Sequence, residues 1–180
     1  MIKAVLAVAM SALATVALAQ GHQPYAGMQQ RPVKALSEQQ VADLRAGRGM
    51  GLALPAELNG YPGPLHVLEN ADALALSDEQ RNRTEALFAA MKAEAVPVGE
   101  RLIEQETKLD GLFARRDITP ANLTTATEEI GATQALLRAT HLKYHLVMME
   151  VLTPAQVERY QTLRGYGAKG EGSQHHQQHR

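Results

Sequence analysis

The sequence predicts an all-α fold, a long, kinked antiparallel helical hairpin with short flanking helices. Three observations carry this. Apolar residues recur at spacings of three, four and seven through two long stretches, 78–116 and 120–151. The helix-start pattern Leu-Ser/Thr-x-x-Gln stands at Leu36, Leu76 and Leu152. Ala, Leu, Glu, Gln, Arg and Met are plentiful, whereas there are two Phe and no Trp, which describes a helical protein with a thin aromatic core.

The chain opens MIKAVLAVAMSALATVALAQ, with one cation at Lys3, an apolar run from Ala4 to Leu18 and the small-x-small ending Ala17-Leu18-Ala19. Residues 1–19 read as a secretory signal peptide cleaved after Ala19, so the mature chain is expected to leave the cytoplasm. The run is too short for a membrane span, and no later stretch approaches ~20 consecutive apolar residues, so none is expected after cleavage. Cleavage removes Lys3 and no acid, moving the formal charge from −1 to −2. Such a balance gives no electrostatic case for nucleic acid. With no cysteine, an exported chain must be stabilised by packing, partners or metal.

Residues 20–35 lack periodicity and read as a flexible arm. Residues 36–64 read as a short helix followed by a Gly/Pro-rich loop. Ser37 and Gln40 signal the helix start, Gly47 and Gly49 its end, and GRGMGLALPAELNGYPGP the loop. The apolar Met50, Leu52, Leu54, Leu58 and Tyr61 suggest that this loop packs on the helices. Residues 65–165 read as the helical hairpin domain, opening with Leu65 and Leu68 before Ser77 restarts a helix.

The first long stretch carries Leu87, Phe88, Met91, Ala95, Val98, Leu102, Leu109, Leu112 and Phe113 along one seam. Pro97 lies inside it and removes a backbone donor, which predicts a kink or a break into two helices. Thr119 and Pro120 then supply an N-cap and a first helical residue. Leu123, Ala126, Ile130, Thr133, Leu137, Thr140, Tyr144, Val147 and Val151 continue as a heptad-like stripe. The short connection between the two stretches makes them antiparallel. A last helix is expected from Thr153 to about Arg164, and residues 166–180 read as a disordered, His-rich tail.

Each Leu-Ser/Thr-x-x-Gln is a capping box. The hydroxyl accepts from the N3 amide and the Gln reaches back to the N-cap amide, which is worth ~1 kcal/mol of helix definition. Leu36 can also staple to Val41 and Leu152 to Val157, whereas the middle copy has Arg81 at that position. Leu76-Ser77-Asp78-Glu79-Gln80 and Leu152-Thr153-Pro154-Ala155-Gln156, flanking a helical hairpin behind a signal peptide, resemble the Spy/CpxP family of bacterial periplasmic proteins, also called LTxxQ-motif proteins. The likeness spans roughly Leu76 to Leu163, with Ser77 standing where the motif has Thr. It implies a periplasmic, cradle-like homodimer that holds unfolded client proteins or senses envelope or heavy-metal stress, with a membrane-bound regulator as a further partner class.

The residues offer chemistry for a divalent metal cofactor. His141 and His145 lie one helical turn apart and can chelate zinc, nickel, cobalt or copper, with Met148 and Met149 nearby as soft donors. His66 and Glu69 form a second same-face pair, and a fold that brought all four together would make an N3O set. His175, His176 and His179 suggest looser metal capture in the tail. The plainer alternatives are that His141 and His145 are polar flank residues beside the stripe and that the tail is merely solvated. A client-holding surface would rest on the apolar helix faces edged by Arg81, Arg83, Lys92, Arg101, Arg138 and Lys143. Enzyme readings find no support, since there is no Cys nucleophile, G-x-S-x-G, Gly-rich phosphate loop or H-E-x-x-H.

Overall fold

Every long element begins where a hydroxyl can accept from an orphaned amide. A computed structural model of the chain describes residues 24–166, and among these there are helices, turns and loops but no strand. The signal peptide at 1–19 and the tail histidines lie outside the described residues. All three expected capping boxes are closed in both directions, by Ser37 with Gln40, Ser77 with Gln80 and Thr153 with Gln156. They start α1 (Glu38–Arg45), α4 (Asp78–Ala114) and α6 (Pro154–Leu163). Thr119 makes a fourth with Asn122 in place of Gln and starts α5 (Pro120–Val151).

The hairpin is α4 against α5, of 37 and 32 residues. Its direction is visible in the ion pairs across it. Arg83 meets Glu150 at 3.8 Å, Lys143 meets Glu94, and Lys108 meets Glu129 at 4.0 Å, so positions rise on α4 as they fall on α5. These exposed pairs contribute little stability and serve here to mark the register. The turn is tight because α4 ends with Arg116 in the left-handed region (φ 59°) while the Asp117 amide donates back to the Leu112 carbonyl at 3.0 Å. Pro97 does not split the helix. Only the amide that would have served the Ala93 carbonyl is lost, and Ala95, Val98 and Leu102 on either side stay buried against the partner helix.

Two apolar clusters lie along the hairpin. The first joins Leu44 of α1 to Ala95, Val98, Leu102 and Ile103 of α4 and Ile130 and Leu137 of α5. It also contains Val33, and Lys34 pairs with Asp110 at 2.7 Å. The described part of the expected arm is therefore docked on the hairpin, because one buried valine and one ion pair anchor it. The second cluster joins Val67 and Leu74 to Met148, Val151, Leu152, Val157 and Tyr160. Burial of each such large side chain is worth about 1.5–3 kcal/mol.

The Gly/Pro-rich segment is not wholly irregular. Pro55 opens a single turn, α2 (Leu54–Glu57), and Pro64 opens α3 (Pro64–Glu69), as proline's fixed φ and missing donor suit a first helical position.

The glutamines of two boxes also meet each other. Gln80 Nε2 donates to the Val151 carbonyl and to Gln156 Oε1, both at 2.8 Å. Gln156 Nε2 donates to Gln80 Oε1 at 3.0 Å and to the Leu74 carbonyl at 3.3 Å. Each Oε1 also accepts from its own N-cap amide, Ser77 at 3.1 Å and Thr153 at 2.9 Å. Both amides thus use their two donors and two acceptors in full, locking the starts of α4 and α6 to the end of α5. A glutamate would close the capping box equally well but has no donors. Gln80→Glu is therefore expected to cost about 1–2 kcal/mol in urea unfolding followed by circular dichroism. A change below a few tenths would reduce the motif to independent helix caps.

A histidine-lined cavity as the candidate functional site

On α5, the first cluster ends at Leu137 and the second begins at Met148. His141 and His145 fill the step between them, and both are buried, with 2% and 7% of their surface exposed. The buried stripe drifts here. Leu123 is 38% exposed at the start of the helix, whereas at the other end burial takes in His141, His145 and Met148. Polar side chains placed where two apolar clusters part are not solvated flank residues.

They are roofed by the Gly/Pro-rich segment. The Tyr61 carbonyl lies 2.7 Å from His145 Nδ1. A carbonyl only accepts, so Nδ1 carries the proton and Nε2 keeps its lone pair in the neutral ring. Gly63 approaches so closely that a Cβ there would lie 2.8 Å from His145 Cε1 and 3.0 Å from Nε2. Gly49 passes over His141, with its Cβ position 3.5 Å from Nδ1. His141 Nε2 is buried without a hydrogen-bond partner. An orphaned buried nitrogen costs about 1–3 kcal/mol and marks a place where a ligand would be accommodated.

Roof and helices border a cavity of about 570 Å³ that is open to solvent on one side. Met50, Leu54, Leu65, Phe88 and Met91 form apolar wall, while His66, His141, His145 and Glu57 bring polar groups to it. Exposed Arg48 and Lys92 stand at its edge. Of the four residues considered as an N3O set, three line this one cavity. Glu69 does not, because its Oε2 turns to His66 Nδ1 at 2.7 Å. Among the described residues no three His, Cys, Asp or Glu side chains are disposed to hold a metal ion together. Met148 is fully buried in the second cluster, while Met149 is 38% exposed.

Sequence reasoning missed Glu57, the buried carboxylate of this site, 6% exposed. Its Oε1 accepts from the Tyr160 hydroxyl at 2.5 Å and from Arg164 Nε at 3.2 Å. Its Oε2 is buried without a partner and lies 3.9 Å from His145 Nδ1. Burial first, then Glu57, push the Tyr160 hydroxyl well above its ordinary range, so it remains a donor. The Glu57–Tyr160–Arg164 network pins the roof to α6. The only sequence signal was a single acid, Glu57, in the Gly/Pro-rich stretch 47–64.

Burial first, and then the charge His145 would carry, hold His141 below the ordinary imidazole range. The neutral ring required of a metal ligand is thus favoured at neutral pH. The same shift makes a stability prediction. The unfolded chain takes up the proton near pH 6.5 and the folded one only lower, so the unfolded state binds more protons in between. Stability is full above about pH 6.5 and falls as pH drops toward the folded value, at up to ~1.4 kcal/mol per unit. Urea unfolding at pH 7.5, 6.5 and 5.5 is expected to show this slope, flattened in His141→Asn. An unchanged slope in the variant would assign it elsewhere.

The donor set suits a borderline transition ion, with two imidazoles one turn apart and one of them, His145, oriented by the Tyr61 carbonyl. No family model, curated protein or solved structure matches the chain.

Proposed function

We propose that the protein binds a divalent transition metal at His141 and His145 and acts as an exported metal-binding or sensor protein of the Spy/CpxP kind in heavy-metal or envelope stress. The observation that carries this is the cavity in which the two buried rings lie together, one held by the Tyr61 carbonyl and the other with an orphaned Nε2. Zinc is the ion proposed, and nickel, cobalt and copper accept the same imidazole ligands. The signal-peptide pattern at 1–19 supports a periplasmic location. A homodimer follows from the family likeness.

The test is isothermal titration of the chain from Gln20 onward with zinc, nickel, cobalt and copper at pH 7.5. One site of micromolar affinity or better is expected, and it is lost in His141→Ala/His145→Ala. Circular dichroism of the variant checks that it remains folded, and single His→Asn variants replace it if it does not. Absence of micromolar binding, or wild-type binding in a folded double variant, would overturn the reading.

One observation favours the alternative, an ATP-independent chaperone. Leu136, Leu146 and Met149 on α5 are 46%, 59% and 38% exposed, and Phe113 at the hairpin turn is 53% exposed. Such surface can hold an unfolded client or a second copy. Suppression of client aggregation without metal, reduced by Leu146→Glu, would support it. Sedimentation of the same variant reports whether the face joins two copies.

A further inference from the structure

Resting on the metal reading, we infer that the cavity takes its ion as a chelate with a small organic ligand, an α-amino acid with an apolar side chain, whose amine and carboxylate complete the coordination begun by His141 and His145.

A bare ion leaves this site unfilled in three respects. The first is coordination. Two imidazoles supply half of a tetrahedral set, since structural zinc sites take four protein ligands and catalytic ones three. Among the described residues no third His, Cys, Asp or Glu is disposed to join them, and His66 Nδ1 is engaged by Glu69 at 2.7 Å. Two positions therefore remain for a ligand from solution, and an amine and carboxylate on one carbon fill two adjacent ones. The second is volume. The cavity of about 570 Å³ falls within the ~300–1,000 Å³ of small-molecule sites, whereas two waters completing the same ion would occupy about 60 Å³ at liquid density. The third is the wall. Met50, Leu54 and Leu65 line the cavity and are all exposed, and Phe88 and Met91 of α4 line it as well. An ion with its waters leaves these side chains wet, whereas an apolar ligand side chain covers them.

The polar groups suit the other end of such a ligand. Glu57 lines the cavity, and its Oε2 is buried without a hydrogen-bond partner, an acceptor for the N–H of a coordinated amine. Lys92 stands exposed at the edge, its Nζ 5.7 Å from the Phe88 ring centroid, and is placed to meet the carboxylate oxygen that does not bind the metal. Arg48, also at the edge, is held by Asp43 at 2.5 Å. A simple carboxylate would leave Glu57 Oε2 orphaned, and a simple amine would offer Lys92 nothing. The α-amino acid serves both, and its ammonium proton passes to solvent on coordination.

The experiment is equilibrium dialysis of radiolabelled L-leucine against the chain from Gln20, with and without one equivalent of zinc at pH 7.5, paired with zinc titrations in leucine-free and leucine-containing buffer. One leucine per chain is expected to be retained with zinc and none without it, and retention is lost in His141→Ala/His145→Ala. Glycine chelates through the same two groups but has no side chain, and is expected to be held about tenfold less tightly, the lower end of what burying a leucine side chain contributes. Leu54→Ser/Leu65→Ser is expected to weaken leucine retention by a similar factor and to keep wild-type zinc affinity in leucine-free buffer. Isocaproate and isopentylamine, each lacking one chelating group, are not retained. A chelator that only competes in solution lowers the apparent zinc affinity, whereas leucine at about ten times its Kd is expected to raise it about tenfold. If zinc binds at the helix pair while leucine is neither retained nor raises its affinity, the chelate is overturned and the metal reading stands. Leucine retained without zinc, or glycine held as tightly as leucine, overturns the chelate likewise. If zinc binds in neither buffer, both fail.

Discussion

Tyr160→Ala is expected to lower the free energy of unfolding by about 5 kcal/mol, a large part of the ~5–15 kcal/mol typical of a domain. Tyr160 is fully buried at the centre of the second cluster, against Val67, Leu74, Met148 and Val157. Removing a buried ring of this size costs about 3–5 kcal/mol in transfer and cavity terms. The same substitution removes a donor from a buried carboxylate, which adds about 1.5–3 kcal/mol, partly relieved as the site relaxes. Tyr160→Phe keeps the ring and loses only the hydroxyl, so about 2 kcal/mol is expected there. Urea unfolding followed at 222 nm separates the two, and a Phe variant as stable as wild type would mean that the Tyr160–Glu57 bond does not hold the roof.

Gly63→Val is expected to cost about 3 kcal/mol and to weaken zinc binding at least tenfold. The backbone at Gly63 is ordinary extended chain (φ −92°, ψ 147°), so valine meets no dihedral strain. The obstacle is His145, whose Cε1 lies 2.8 Å from the Cβ position. That ring cannot swing aside cheaply, because it is 7% exposed and its Nδ1 is tied to the Tyr61 carbonyl. Either the roof lifts or the ring turns, and both disturb the proposed ligand. Wild-type stability together with wild-type zinc affinity would show that the roof is not registered on His145.

The helices were legible because their causes are local. A hydroxyl followed three residues later by Gln placed the starts of α1, α4 and α6, Thr119 before Pro120 placed that of α5, and spacings of three and four placed the buried faces. His141 and His145 were legible as a pair for the same reason, since one turn separates them. Their burial was not, because it depends on a roof supplied by residues 47–64. Glu57 was invisible as a site residue, as its partner Tyr160 lies 103 residues away. The pairing of Gln80 with Gln156, 76 residues apart, was hidden likewise. Of the kink or break that Pro97 predicted, the break does not occur, because the lost hydrogen bond is a local penalty, whereas the packing of Ala95, Val98 and Leu102 that carries α4 through it is tertiary. Val33 misled in the other direction, since one apolar residue in an aperiodic stretch sufficed to dock it.

In the proposed function, the buried pair His141 and His145 holds the metal. Anomalous diffraction at the zinc edge, from crystals of zinc-loaded protein, tests it by location rather than by affinity. A single strong peak is expected inside the cavity, about 2.0–2.1 Å from a ring nitrogen of His141 and from His145 Nε2, with the His145 Nδ1 bond to Tyr61 kept. A peak at the His66–Glu69 surface pair alone, or an empty cavity in crystals shown to contain zinc, would contradict it.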